Sequence, residues 1–210
     1  MSKLAVAILA GGKSSRMGVD KAFLKIKDSY FIQIIAKELT SIAGSMVAVI
    51  GEKSPEIFTE VLEKNIIAIK DNYKLANPMG GMMTAFDYFD KKEDYVAIVA
   101  CDLPLVKKEL ILRLHDIAVG HDAAVPVWDN GDLEPLCAVY SVKKGLESGK
   151  KMLQSGIIGC RNLVKAMNDV RYVAAEELKD VDKELSSFRN INTKKDYEQL
   201  VAKIQKSPKL

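Results

Sequence analysis

A run of thirteen residues, Leu9-Ala10-Gly11-Gly12-Lys13-Ser14-Ser15-Arg16-Met17-Gly18-Val19-Asp20-Lys21, follows directly on a short apolar segment. It holds three glycines, two serines and four charged groups. Glycines let successive backbone N–H groups approach an anion without an intervening Cβ. Arg16 offers a planar fork for phosphate oxygens, and Lys13 and Lys21 offer point charges. The types and spacing therefore suit a polyphosphate. Two familiar phosphate loops do not fit. A P-loop needs glycine where Ala7 stands, and a dinucleotide fingerprint needs glycine where Lys13 stands.

Two further carboxylates occupy comparable places. Asp102 comes directly after the apolar run Tyr95–Ala100 and ahead of Pro104. Magnesium takes one or two carboxylates plus substrate phosphates and waters, so Asp102 suits it; the competing reading is an N-cap for the following helix. Asp71 follows Ile66–Ile69 and precedes Gly80-Gly81, which open a helix whose N-terminus favours anions; it too could be a turn or capping residue. Cys101 reads as a small buried side chain, not a nucleophile.

The elements that must carry these groups are visible as alternation. Leu4–Leu9, Met46–Ile50, Ile66–Ile69, Tyr95–Ala100, Ala123–Val127 and Cys137–Val142 are short apolar runs, several of them apolar at consecutive positions. That is the pattern of strands buried on both faces. Between the earlier runs lie segments of helical period: Phe31–Ile42, Pro55–Glu63, Gly81–Phe89 and Lys107–Val119. After Val142 the pattern blurs: Gly145, Gly149, Gly156 and Gly159 interrupt it, with a late strand expected at Val170–Ala174 and a closing helix at Lys194–Gln205. The expected architecture is one α/β domain over residues 1–210, a Rossmann-like, doubly wound, mostly parallel sheet with helices on both faces in three layers. Ligands of such sheets bind outside the carboxyl ends of the strands, where the first loop, Asp71 and Asp102 all lie.

Composition narrows the class. The chain has 210 residues, 48% hydrophobic, and a net charge of +3 from 31 Lys+Arg against 28 Asp+Glu. So even a balance argues against nucleic acid. The three cysteines, Cys101, Cys137 and Cys160, and the two histidines form no zinc or disulfide pattern. No run reaches the ~20 apolar residues of a membrane span, and the expected location is the cytoplasm.

The string LAGGKSSRMGVDKAFL resembles the LAGGxSxRMGxDK signature of molybdenum cofactor guanylyltransferases, members of a wider nucleotidyltransferase family. Cys101-Asp102-Leu103-Pro104 resembles the family's CDxP motif, whose aspartate holds the catalytic magnesium. Asn77-Pro78-Met79-Gly80-Gly81 departs from the family's Gly-Pro-Leu-x-Gly at Asn77 and Met79. Glu134-Pro135-Leu136-Cys137-Ala138-Val139-Tyr140 is similar to the (Q/E)PLxAxY strand, and Asn190-Ile191-Asn192-Thr193 with Asp196 to the NxNTxxD ending. The resemblance implies a nucleotide site at Leu9, Ala10, Gly11, Gly12, Lys21, Asp71 and Asp102. It also implies catalytic roles for Arg16, Lys21 and Asp102, Mg²⁺ on Asp102, and acceptor contacts at Asn190 and Asn192. Asn192-Thr193 could equally cap the last helix.

The activity so implied is transfer of GMP from GTP to molybdenum-bound molybdopterin, releasing pyrophosphate, with transient contact to molybdoenzymes or cofactor-biosynthesis proteins. Guanine is expected over cytosine because cytidylyl relatives tend to carry Leu-Ala-Ala-Gly, so that Gly11, lacking a Cβ, would give the purine room. The rivals are a relative using CTP or a sugar phosphate, and a nucleotide-binding adaptor that has lost catalysis.

Overall fold

The computed structural model describes residues 4–12 and 20–206. Among them the strands are β1 (Leu4–Leu9), a small hairpin β2 (Lys25–Ile26) and β3 (Ser29–Tyr30), β4 (Ser45–Val49), β5 (Ile66–Ile69), β6 (Tyr95–Ala100), β7 (Ala123–Val127), β8 (Cys137–Ser141) and β9 (Val170–Ala174). The helices are α1 (Phe31–Leu39), α2 (Pro55–Thr59), α3 (Met79–Phe89), α4 (Lys108–Ala118), α5 (Val142–Gln154), α6 (Cys160–Ala166) and α7 (Lys194–Lys206). The main sheet has seven strands in the order β5-β4-β1-β6-β8-β7-β9. Only β8 runs against its neighbours, so the sheet is mostly parallel, as expected.

The apolar runs form strands because both of their faces are covered. Val6 and Ile8 of β1 pack with α1, α2 and α4 through Ile32, Ile35, Phe58 and Leu110. Ala5, Ala7 and Leu9 pack on the other face with Met82, Phe86 and Leu146 of α3 and α5. Three layers result. A third cluster joins Leu24, Ile26 and Phe31 near the chain start to Ile191, Leu200 and Ile204 near its end. No helix among the described residues is long and apolar enough to cross a membrane.

The blurred stretch after Val142 is a thirteen-residue helix, α5. Gly145 and Gly149 lie inside it and do not break it. A Cβ on Gly145 would come within 2.6 Å of the Phe86 ring, and one on Gly149 would overlap the Met83 sulfur, so both glycines admit α3 at close range. Gly156 and Gly159, with φ of +70° and +125°, do act as punctuation and separate α5 from α6. The pairing of β7 with β8 covers only Ala123 and Ala124. Beyond it comes Pro126, which has no N–H to give a ladder, and the chain loops out through Trp128 before returning at Glu134.

Candidate active site

Parallel pairing sets the site's floor. Leu9 is in register with Ala100, and Cys101 N–H donates to the Leu9 carbonyl at 3.1 Å. The loops leaving β1 and β6 therefore start side by side. On the other flank Ala10 N–H donates to the Val49 carbonyl at 2.7 Å, and Asp71 N–H to the Gly51 carbonyl at 3.0 Å. Asp102, Gly11, Gly51 and Asp71 thus follow the ends of adjacent strands β6, β1, β4 and β5, one row along the sheet's carboxyl edge.

Asp102 is the centre of the polar contacts. Lys21 Nζ donates to its Oδ2 at 2.9 Å and to Asn192 Oδ1 at 2.5 Å. The two ion-paired side chains are mostly buried, 18% and 19% exposed. Asp102 Oδ1 is buried and has no hydrogen-bond partner among the described residues. A buried carboxylate oxygen left unpaired is costly, so this atom marks where a cation fits. Among the described residues no group of three or more His, Cys, Asp or Glu side chains gathers around a point. A divalent ion here would thus rely on one carboxylate plus phosphate oxygens and water, which suits magnesium. The N-cap alternative for Asp102 falls away, because α4 starts at Lys108 after Lys107.

The chain's far end closes this centre. Ile191 N–H donates to the Asp102 carbonyl at 2.9 Å. Asp196 Oδ2 accepts from the Asn192 and Thr193 N–H groups, and Thr193 Oγ1 accepts from Asp196 N–H. That reciprocal cap belongs to Thr193 and Asp196, leaving the Asn192 amide to face Lys21. Asn190 is exposed, and its Nδ2 lies 3.5 Å from the Phe188 carbonyl. Beside it Trp128 meets Phe188 edge-on at 5.6 Å and donates from Nε1 to Glu134 Oε1 at 2.7 Å.

Other expected residues are more constrained than their types suggested. Leu9 and Ala10 are buried, and the Ala10 carbonyl accepts from Lys53 Nζ at 2.5 Å. Gly12 is exposed with open space on its Cβ side, whereas a Cβ on Gly11 would lie 2.8 Å from Gly51 N. The space beside Gly11 is taken by the backbone after β4, which replaces the expectation that this glycine makes room for a purine. Asp71 Oδ1 accepts from Tyr73 N–H and from Thr84 Oγ1, both at 2.8 Å, and a Cβ on Gly80 would lie 2.8 Å from Oδ2. Asp71 thus holds the turn after β5 and is seated on α3. Burial pushes the Cys101 thiol up to about 12, against nucleophilic use. Lys13 and Arg16 lie outside the described residues. A cavity of about 350 Å³ lies between β5 and α3, lined by Ile69, Lys70, Asn72, Thr84, Asp87 and Tyr88, so that Asp71 borders it through both of its chain neighbours.

Lys53, Gly51 and Trp128 were not picked out from the sequence. Lys53 and Gly51 had a signal, since they follow an apolar strand just as Asp71 and Asp102 do; Trp128 had none, because its partner Phe188 is distant in the chain.

Residues 6–170 match the MobA-like NTP transferase domain family. A probable molybdenum cofactor guanylyltransferase of Clostridium perfringens (strain SM101) is 35% identical over 97% of this chain and 98% of its own length. One from Methanosarcina acetivorans is 32% identical over 94% of this chain and 89% of its own. The crystal structure of molybdopterin-guanine dinucleotide biosynthesis protein A from Archaeoglobus fulgidus superposes with a TM-score of 0.81 at 27% identity, covering 96% of this chain and 99% of that one. With the fold, the loop row and these relatives in agreement, the chain belongs to the MobA-like NTP transferase family and is a nucleotidyltransferase.

Proposed function

We propose that residues 1–210 form one domain that transfers GMP from GTP to molybdenum-bound molybdopterin, producing the guanine dinucleotide cofactor and pyrophosphate. The observation that carries this reading is Asp102, with one oxygen held by Lys21 and the other buried without a described partner. A carboxylate of that kind at the carboxyl edge is what a metal–triphosphate substrate requires. The relatives' names supply guanine and molybdopterin.

In the reaction an oxygen of the acceptor's terminal phosphate bonds to the α-phosphorus, and the bond from that phosphorus to the pyrophosphate oxygen breaks. The attacking oxygen is already anionic, so no base has to remove a proton. Positioning and charge compensation carry the rate. Lys21 places a positive charge beside Asp102, and Asn192 fixes that ammonium. Arg16, Gly11 and Gly12 are assigned to the phosphates, and Asp71 to the nucleoside side of the row. Asn190 and the Trp128–Glu134 pair border the acceptor side. Mg²⁺ on Asp102 would supply charge neutralisation at the phosphates. The product then passes by transient contact to molybdoenzymes or cofactor-biosynthesis proteins in the cytoplasm.

Pyrophosphate release measured with GTP or CTP as donor and molybdopterin or a sugar phosphate as acceptor tests the assignment. GTP with molybdopterin should be the productive pair. Turnover with CTP alone would overturn the guanine assignment, and turnover with only the sugar phosphate would overturn the acceptor.

A further inference from the structure

Both ends of the phosphate loop converge on one side chain that the proposed reaction leaves unused. Lys53, on the turn after β4, donates from Nζ to the Ala10 carbonyl and to Asp20 Oδ2, each at 2.5 Å. Ala10 immediately precedes Gly11, and Asp20 immediately precedes Lys21. One ammonium therefore ties the point where the loop leaves the sheet to the point where it returns. The other oxygen of Asp20, Oδ1, accepts from Ala22 N–H at 3.1 Å and caps the single 3-10 turn Lys21–Phe23. The contacts run from Lys53 to Asp20, from Asp20 to the turn bearing Lys21, and from Lys21 to Asp102 and Asn192. Neither side chain of the first pair is freely solvated, at 23% and 27% exposure.

We propose that Lys53 is a positioning residue for nucleotidyl transfer, clasping the phosphate loop at its base and aiming Lys21 through Asp20. Two effects follow from the geometry. Gly11 and Gly12 cost conformational freedom when they are ordered on a ligand, and fixing the neighbouring Ala10 and Asp20 beforehand removes part of that loss at binding. The carboxylate of Asp20 also stands beside Lys21, where, uncompensated, it would repel a triphosphate. Lys53 neutralises it.

This inference rests on the nucleotidyl-transfer reading, so the wild-type protein is first titrated calorimetrically with Mg-GTP and Mg-CTP. Lys53→Met, Lys53→Arg and the double variant Lys53→Met/Asp20→Asn are then compared for nucleotide affinity, KM, kcat and melting temperature. Lys53→Met should raise the KM and Kd for the nucleotide by on the order of tenfold, the effect of losing a charge-assisted bond, with a smaller change in kcat. Lys53→Arg should restore part of the affinity. Adding Asp20→Asn to Lys53→Met should also restore part of it, because the uncompensated carboxylate is gone. A lysine that only stabilised the fold would lower the melting temperature and the active fraction while KM stayed constant, and that result overturns the inference. So does a double variant no better than Lys53→Met, which would mean that Lys53 touches the nucleotide directly. A wild type preferring CTP overturns the guanine assignment and moves the same comparison to CTP; one that binds neither nucleotide overturns both.

Discussion

The two oxygens of Asp102 sit in unlike surroundings, and a substitution can separate them. Asn keeps the shape and can still accept from Lys21 Nζ, but it removes the charge that a divalent ion needs. Asp102→Asn should therefore lower turnover by about 10²-fold or more, in the range for loss of one preorganised electrostatic group, while leaving much of the nucleotide affinity. Steady-state kinetics set against calorimetric binding will show whether the loss falls on kcat. Glu134 offers a different test. Burial raises its carboxyl above the ordinary 4.5, opposed by the Trp128 hydrogen bond and Arg161 and reinforced by Asp132 and Asp102. The folded state then holds this proton more tightly than the unfolded chain does, so its contribution to stability falls as pH rises from about 4.5 upward. Gln at 134 can still accept from Trp128 yet carries no charge. Glu134→Gln should melt higher than wild type at pH 7, with the difference vanishing at pH 4; melting curves across that range would show the opposite trend if the charged carboxylate were stabilising.

Close helix contact explains where the elements could be read and where they could not. Gly145→Ala should destabilise by about 1–2 kcal/mol, because overpacking against the rigid Phe86 ring outweighs the gain in helix propensity. That corresponds to a fall of about 2–8 °C in Tm. Gly149→Ala should be milder, since Met83 can turn its flexible thioether aside. Equal effects in thermal denaturation would show that ring rigidity is not what separates the two sites. β1 and β6 were readable because burial on both faces leaves a continuous apolar run. α5 was not, because glycine marks a chain break and a close approach alike. Asp102 and the first loop stood out by combining charge or glycine with a strand end. Lys53 shares that place after a strand, but its role was not legible, since its main-chain partner at Ala10 is 43 residues away and a carbonyl carries no sequence mark. Asn192 was noticed as an amide, and its pairing with Lys21 shows only in the geometry.

The whole molecule is closed by its last helix. The family match ends at residue 170, yet Phe188, Ile191 and Asn192 all reach the site or its walls. Leu200 and Ile204 of α7 cover Leu24, Ile26 and Phe31, the segment just after Lys21. A chain stopped after Thr193 loses that cover and the Asp196 carboxylate that holds Asn192. It should melt several degrees lower and lose most of its turnover, as the two buried side chains alone are worth roughly 1.5–3 kcal/mol each. Full activity in the truncated chain would show that α7 does not support Lys21.

The bond between Lys21 and Asn192 joins residues 171 positions apart. During synthesis the amino-terminal strands and Asp102 emerge long before their last partner exists, and domains complete themselves only as the carboxyl end is released. Closing so distant a contact is also slow. An interrupted or stalled chain would carry Lys21 and Asp102 without the amide that steadies the lysine. The Lys21–Asp102–Asn192 cluster is thus completed long after Asp102 itself has emerged.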